Sequence, residues 1–130
     1  MKKFALAAAM VVAGAGAAMA DPAAGTWKTE PGDTGGYLHV KVAPCGSNIC
    51  GTIAKAFDET GAEVANYEHA GKRMLWDMNA DGGGKYSGGQ IWAADSDKTY
   101  KSKMSLSGNT LTVKGCVAVI CRGQDWKRVN

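Results

Sequence analysis

The sequence predicts an all-β fold: a single antiparallel, up-and-down barrel of eight strands. Three observations predict it. Short runs of alternating apolar and polar residues recur along residues 21–130, and period two with one apolar face marks a half-exposed antiparallel strand. Clusters of Gly, Asp, Asn and Ser separate these runs and supply turn chemistry. No long window carries a 3.6-residue apolar stripe, so a helical core is not expected. A meander of this kind exposes two edges unless it closes on itself, and closure into a barrel removes both.

The predicted strands cover residues 25–30, 36–43, 51–57, 73–78, 85–92, 99–106, 110–117 and 124–129. Alternation is clearest in three of them. In the second run the apolar set is Leu38, Val40 and Val42; the sixth places Tyr100, Ser102, Met104 and Leu106 opposite Lys101 and Lys103; the seventh repeats this with Leu111 and Val113. Asp58-Glu59-Thr60-Gly61, Asn79-Ala80-Asp81-Gly82 and Ser107-Gly108-Asn109 read as turns. Residues 62–72 are the longest stretch without a strand pattern, where a short helix or lid is expected.

Residues 1–20 read as a cleaved signal peptide. Lys2-Lys3 form the basic start, an uncharged Ala/Val/Met/Leu/Gly run follows, and Ala18-Met19-Ala20 predicts a cut between Ala20 and Asp21. That run is too short to favour spanning a bilayer. The predicted location is therefore periplasmic or secreted, with no membrane anchor and a single domain over residues 21–130. Lys2 and Lys3 belong to the leader, which leaves 13 basic against 12 acidic residues in the domain. A nucleic acid or anionic membrane calls for a dense basic stripe, and Lys72-Arg73 and Lys127-Arg128 are isolated pairs, so neither partner is expected.

All four cysteines fall in the domain as Cys45-x4-Cys50 and Cys116-x4-Cys121. An even count in an exported chain predicts two disulfides. Structural zinc favours tighter spacing and thiol redox catalysis favours Cys-x-x-Cys. In an eight-strand meander the two clusters sit at opposite barrel ends, which opposes cross-pairing. Five steps of straight strand span roughly 17 Å, so the local pairs Cys45–Cys50 and Cys116–Cys121 require a turn inside each segment. Gly46-Ser47-Asn48 turns readily; Val117-Ala118-Val119-Ile120 looks like strand. Each small loop closure stabilises by about 2 kcal/mol on a chain-entropy estimate.

Several short motifs occur together in order. They are Gly25-Thr26-Trp27, Cys45-Gly46 with Cys50-Gly51-Thr52-Ile53, Gly88-Gly89-Gln90-Ile91, Lys98-Thr99-Tyr100, Val113-Lys114-Gly115-Cys116 and Trp126-Lys127-Arg128-Val129. In these the chain resembles the exported bacterial proteins of the DUF2147 family, over nearly all of the domain. The resemblance implies a lipocalin-like β-barrel and little about activity. Gly25-x-Trp27 and Arg128 also look like the lipocalin bracket, in which an Arg packs over a Trp at the closed end, with Trp126 as core. An Arg over a Trp face is worth about 0.5–2 kcal/mol.

Candidate chemistry is sparse. Asp77, Asn79, Asp81 and Gly82 match the first half of a calcium loop, but Gly88 stands where the bidentate Glu is expected, and a polar hairpin turn wants the same residues. His39 alternates toward solvent, and His69 lies in the irregular stretch without a second ligand. No Gly-x-Ser-x-Gly, His-Glu-x-x-His or phosphate-cradling loop occurs. No enzyme activity and no cofactor are therefore expected.

An eight-strand barrel is filled by side chains or holds one small ligand. The candidate lining residues are Arg73, Trp76, Tyr86, Trp92, Tyr100 and Met104, with plain core as the competing reading. The expected function is binding of a small apolar or amphipathic ligand by a monomer or weak dimer. Burial against Trp92, Tyr100 and Met104 would hold it, and Tyr86 or Arg73 would orient it. The alternatives are a protein-binding inhibitor module acting through its loops, with 62–72 foremost, and a structural envelope role.

Overall fold

The computed structural model describes residues 21–130, so the leader and the expected cut after Ala20 lie outside the described residues. Eight strands follow in order: β1 (Gly25–Lys28), β2 (Tyr37–Cys45), β3 (Asn48–Phe57), β4 (Arg73–Gly82), β5 (Lys85–Ala93), β6 (Lys98–Ser107), β7 (Thr110–Val117) and β8 (Ile120–Arg128). Each pairs antiparallel with its neighbour, and β1 pairs with β8 to close the barrel. The expected fold is thus the observed one.

The strands are longer than predicted at their hairpin ends. β2 and β3 run on to Cys45 and Asn48, and β7 and β8 meet across Val117 and Ile120. Only two residues make each of these turns, the first in the left-handed region (Gly46, φ 67°; Ala118, φ 53°), a shape that matches the right-handed twist of the flanking strands. A turn inside Val117–Ile120 is therefore built despite its strand-like composition. It places Cys116 directly opposite Cys121, and both local disulfides form.

Residues 62–72 contain no helix. Asp58 organises the start of this connection, its carboxylate accepting from the Thr60 and Ala62 amides and the Thr60 hydroxyl. Val64 N–H then donates to the Ala56 carbonyl and Glu63 bridges Phe57, so the segment first folds back along the end of β3.

Hairpins 45–48, 82–85 and 107–110 and both ends of the described chain share one end of the barrel, which is closed. Trp27, Met78, Tyr86, Leu111 and Trp126 are buried there. Arg128 stacks on Trp27 at 4.4 Å and donates to the carbonyls of Pro22 (2.7 Å) and Ala24 (2.9 Å) and to Asn109 Oδ1 (3.1 Å). The expected bracket is present. Gly25 serves it, because a Cβ there would stand 2.6 Å from the Asn130 carbonyl oxygen and 2.8 Å from Arg128 Nη1. Trp27 Nε1 donates to the Ala23 carbonyl, and Tyr86 Oη donates to Asp21 Oδ1 at 2.6 Å, drawing residues 21–24 over the closed end.

Candidate functional site

The opposite end is open. Its cavity, about 740 Å³, lies among the β1–β2, β3–β4 and β5–β6 connections and the upper halves of the strands. The wall is Leu38, Ala56, Met74, Ile91, Tyr100 and Val113. Alternation aims Leu38, Tyr100 and Val113 inward, bulges bring in Ala56, Met74 and Ile91, and Leu38 and Ile91 pack against the buried core below. Gly115 follows Leu111 and Val113 on the same face of β7, and its missing side chain leaves room beside Ile91 and Tyr100. Val64 and Tyr67 enter from the 58–72 connection.

The rim is charged. Glu30, Asp33, Asp58, Glu59 and Asp95 border the cavity, against one cation, Arg122. The hydrogen bond from the Thr60 hydroxyl, with that from the Ala62 amide, holds the Asp58 carboxyl below its usual range, so it is ionised at neutral pH. Burial raises the Tyr67 hydroxyl above its ordinary value, reinforced by Glu68 and Asp95, so it remains a neutral donor. Gln124 Oε1 accepts from Trp126 Nε1 (2.6 Å) and from the Glu30 amide (3.3 Å), tying wall to rim.

Of the six lining candidates, the structure brings only Tyr100 and Trp92 to this cavity. Tyr86 and Met104 do point inward, but they are buried partners in the packed closed end. Burial, then the bond to Asp21, pushes the Tyr86 hydroxyl far up, and that bond occupies the group expected to orient a ligand. Arg73 is exposed and opposes Thr52 on the outer surface, and Trp76 is out of phase with inward-facing Leu75. Trp92 is out of phase with Ile91 and Tyr100 and contributes from the rim, with Nε1 donating to Asp97 Oδ1 (2.8 Å), His69 edge-on at 5.0 Å and Lys72 Nζ 5.6 Å away.

Bulges cause these departures. On β5, Tyr86 opposes Met104 but Gly89 opposes Ser102, so one extra residue flips the phase of everything after it. Gly88 carries the left-handed conformation (φ 78°) of that bulge. On β4, Arg73 opposes Thr52 and Leu75 opposes Gly51, so Met74 is the extra residue and both Met74 and Leu75 are buried. Leu38, Val64, Tyr67, Ile91, Gly115 and Arg122 were not on the expected list. Gly115, a glycine in phase with Leu111 and Val113, was the readable sign of space on that wall.

Asp77, Asn79 and Asp81 alternate along β4, and Asp81 Oδ2 accepts from Ser87 Oγ at 2.6 Å. Among the described residues no group of three His, Cys, Asp or Glu side chains gathers to hold a metal.

His39 is half-buried on the outer surface, its ring 4.4 Å from that of Phe57. Burial, then Lys55 and Lys28, lowers its pKa from the ordinary 6.5. Below that pH the unfolded chain takes up a proton that the folded chain resists, so this group lowers stability as pH falls. Urea midpoints measured at about pH 8 and about pH 5.5 are expected to differ less for His39→Gln than for the parent. An equal difference would mean that carboxylates alone set the acid side.

The family model described as "Uncharacterized protein conserved in bacteria (DUF2147)" matches residues 25–128. No curated protein matches the chain. Among solved structures, protein HP1028 from the human pathogen Helicobacter pylori, which belongs to the lipocalin family, is similar in fold, with a TM-score of 0.65 and 16% identity over 82% of each chain.

Proposed function

The chain belongs to the DUF2147 family, and from that premise and the shape of its cavity we propose that the barrel binds a small apolar or amphipathic molecule at its open end, as an exported carrier or sensor. The observation that carries this reading is the cavity. Small-molecule sites occupy roughly 300–1,000 Å³ and combine apolar walls with a few placed polar groups. About 740 Å³ walled by Leu38, Ala56, Met74, Ile91, Tyr100 and Val113 fits that description. The lipocalin-like fold supports it, and the two disulfides fit an oxidising compartment such as the periplasm.

The apolar part of the ligand lies against Ile91, Tyr100 and Val113, and its polar part stays at the rim. Five carboxylates against Arg122 make that rim favour a cationic head group over an anionic one. The Tyr67 hydroxyl is the neutral donor beside it. The loop of a competing inhibitor module would reach outward, whereas Val64 and Tyr67 turn to the barrel's own mouth.

Titration with dodecyltrimethylammonium and dodecyl sulfate, both below micelle formation, tests this through the emission of Trp92. The cation is expected to saturate the protein at a concentration about 3–10-fold lower, with the gap narrowing in high salt. No saturable change with either amphiphile would sink the ligand-binding reading. Tighter binding of the sulfate would sink the assignment of the rim.

A further inference from the structure

The β7–β8 hairpin ends in four consecutive apolar residues, Val117-Ala118-Val119-Ile120, and nothing among the described residues covers them. Val119 is 93% exposed, Ile120 68% and Val117 63%, among the largest apolar exposures in the described residues. The tip is rigid by construction. Val117 pairs with Ile120, the turn between them has only two residues, and the Cys116–Cys121 disulfide clamps the next pair down. A paired two-residue turn leaves few bare backbone groups, which is what apolar surroundings require.

Below the tip the outer surface is basic. Lys101 opposes Cys116, and Lys103 opposes Lys114, so three lysines from two strands share the outer face directly behind the disulfide. A groove of about 620 Å³ runs there, lined by Gln90, Lys101, Lys103, Cys116, Val119 and Cys121 among others. Ion pairs among the described residues join Lys55 to Glu63 and Glu68 to His69, and include none of these lysines. The mouth is thus divided: carboxylates on the β1–β2, β3–β4 and β5–β6 connections, an apolar wedge backed by lysines on the β7–β8 side.

We propose that this hairpin docks the protein on an anionic phospholipid bilayer, with Val117, Val119 and Ile120 in the interface and Lys101, Lys103 and Lys114 against lipid phosphates. The dimensions agree. Two to three residues separate Val119 from the level of Lys101, roughly 7–10 Å at 3.3 Å per residue, close to the depth at which interfacial side chains sit. Lysine stems lie along the apolar tip while their ammonium groups stay at the phosphates. The barrel leans on its β6–β7 side, which keeps the carboxylates of the β1–β2 and β3–β4 connections, Glu30, Asp33, Asp58 and Glu59, away from the anionic surface. Near-neutral net charge means that general attraction does not supply the binding; the local arrangement does. No sequence-adjacent basic run announces it: Lys101 and Lys103 alternate on β6, and Lys114 joins them only through strand pairing. The inference stands apart from the ligand reading, since the wedge needs no occupied cavity.

The test is sedimentation of the purified, oxidised protein with vesicles of phosphatidylcholine alone and with added phosphatidylglycerol. Binding is expected to the anionic vesicles and to weaken in high salt. Val119→Asp and the pair Lys101→Glu/Lys103→Glu are each expected to weaken it at least about tenfold, while Val129→Asp, at the closed end, matches the parent. Val119→Trp should shift its emission to the blue on binding. These positions are exposed, so titration of the same variants with dodecyltrimethylammonium should match the parent and shows that they are folded. No binding to anionic vesicles, equal binding to neutral ones, or parental binding by Val119→Asp would each overturn the proposal. Saturable amphiphile binding alongside vesicle indifference would remove the hairpin's role and leave the cavity reading standing.

Discussion

Replacing Arg128 with Ala is expected to destabilise the protein by about 2–4 kcal/mol, a large fraction of the stability of a domain this size. The guanidinium covers the face of Trp27, itself fully buried, at 4.4 Å. Through three acceptors it also ties two separate pieces of chain to β8: Pro22 and Ala24 before β1, and Asn109 in the β6–β7 turn. Charge-assisted bonds exceed neutral ones, but these acceptors lie near the surface, so the loss falls well short of a fully buried network. Arg128→Lys keeps the charge yet cannot span three acceptors with one planar fork, and should recover less than half of the loss. Lys127→Ala is the internal control: Lys127 is exposed and bonds only Thr110 Oγ1, so its change should stay within about 0.5 kcal/mol. Urea unfolding of the three variants gives the order, and native-state Trp emission should move to the red in Arg128→Ala. A cost below about 1 kcal/mol for Arg128→Ala would show that the closed end is held by core packing alone.

The same bracket marks what the sequence makes legible. Trp27 and Arg128 sit at opposite ends of the domain, yet one short motif at each end announces their contact. Both disulfides were readable from topology, which opposes cross-pairing, but chain reach demanded a turn inside each segment, and Val117–Ile120 gave no local sign of one. The barrel followed from alternation and turn residues, which are local signals. Phase was the part that local signals could not carry. Counting by twos from Tyr86 arrives at Trp92 as an inward residue; the bulge at Ser87–Gly88 adds a step, and Ile91 faces in instead. Likewise Met74 enters at one bulge and turns Arg73 outward, and a second irregularity between Leu75 and Met78, where Asp77 has φ 58°, puts Trp76 out of phase with Met78. A glycine marks the β5 bulge, but Gly88-Gly89 reads equally well as a strand weakness or a close approach. The composition of 62–72 left its fold open, because Val64 and Tyr67 gain their setting from the mouth and not from neighbours in sequence.

That distinction between wall and phase error can be measured. Gly115→Phe is expected to reduce amphiphile affinity at least about tenfold while leaving stability unchanged or raising it by up to about 1 kcal/mol. Gly115 points inward with Val113, its backbone is ordinary strand, and a Cβ there meets Ile91 Cγ2 at 3.5 Å and Tyr100 Cβ at 3.6 Å, normal contact distances. Further side-chain atoms enter space that the proposed ligand needs. Displacing about 60 Å² of apolar ligand contact at about 25 cal/mol per Å² already costs about 1.5 kcal/mol, a little over tenfold. Strand propensity works in the opposite direction on stability, since Phe is favoured where Gly is not. Arg73→Ala should bind like the parent, because Arg73 lies outside the barrel. Trp92→Phe removes the bond to Asp97 at the rim without opening the wall, and is expected to weaken binding by less than Gly115→Phe does. Because Trp92 is the reporter, calorimetry replaces fluorescence for that variant. Should Gly115→Phe bind as the parent does, the amphiphile is held elsewhere and the open end is not the site. A large loss in Arg73→Ala would instead return the site to the outer surface of β4.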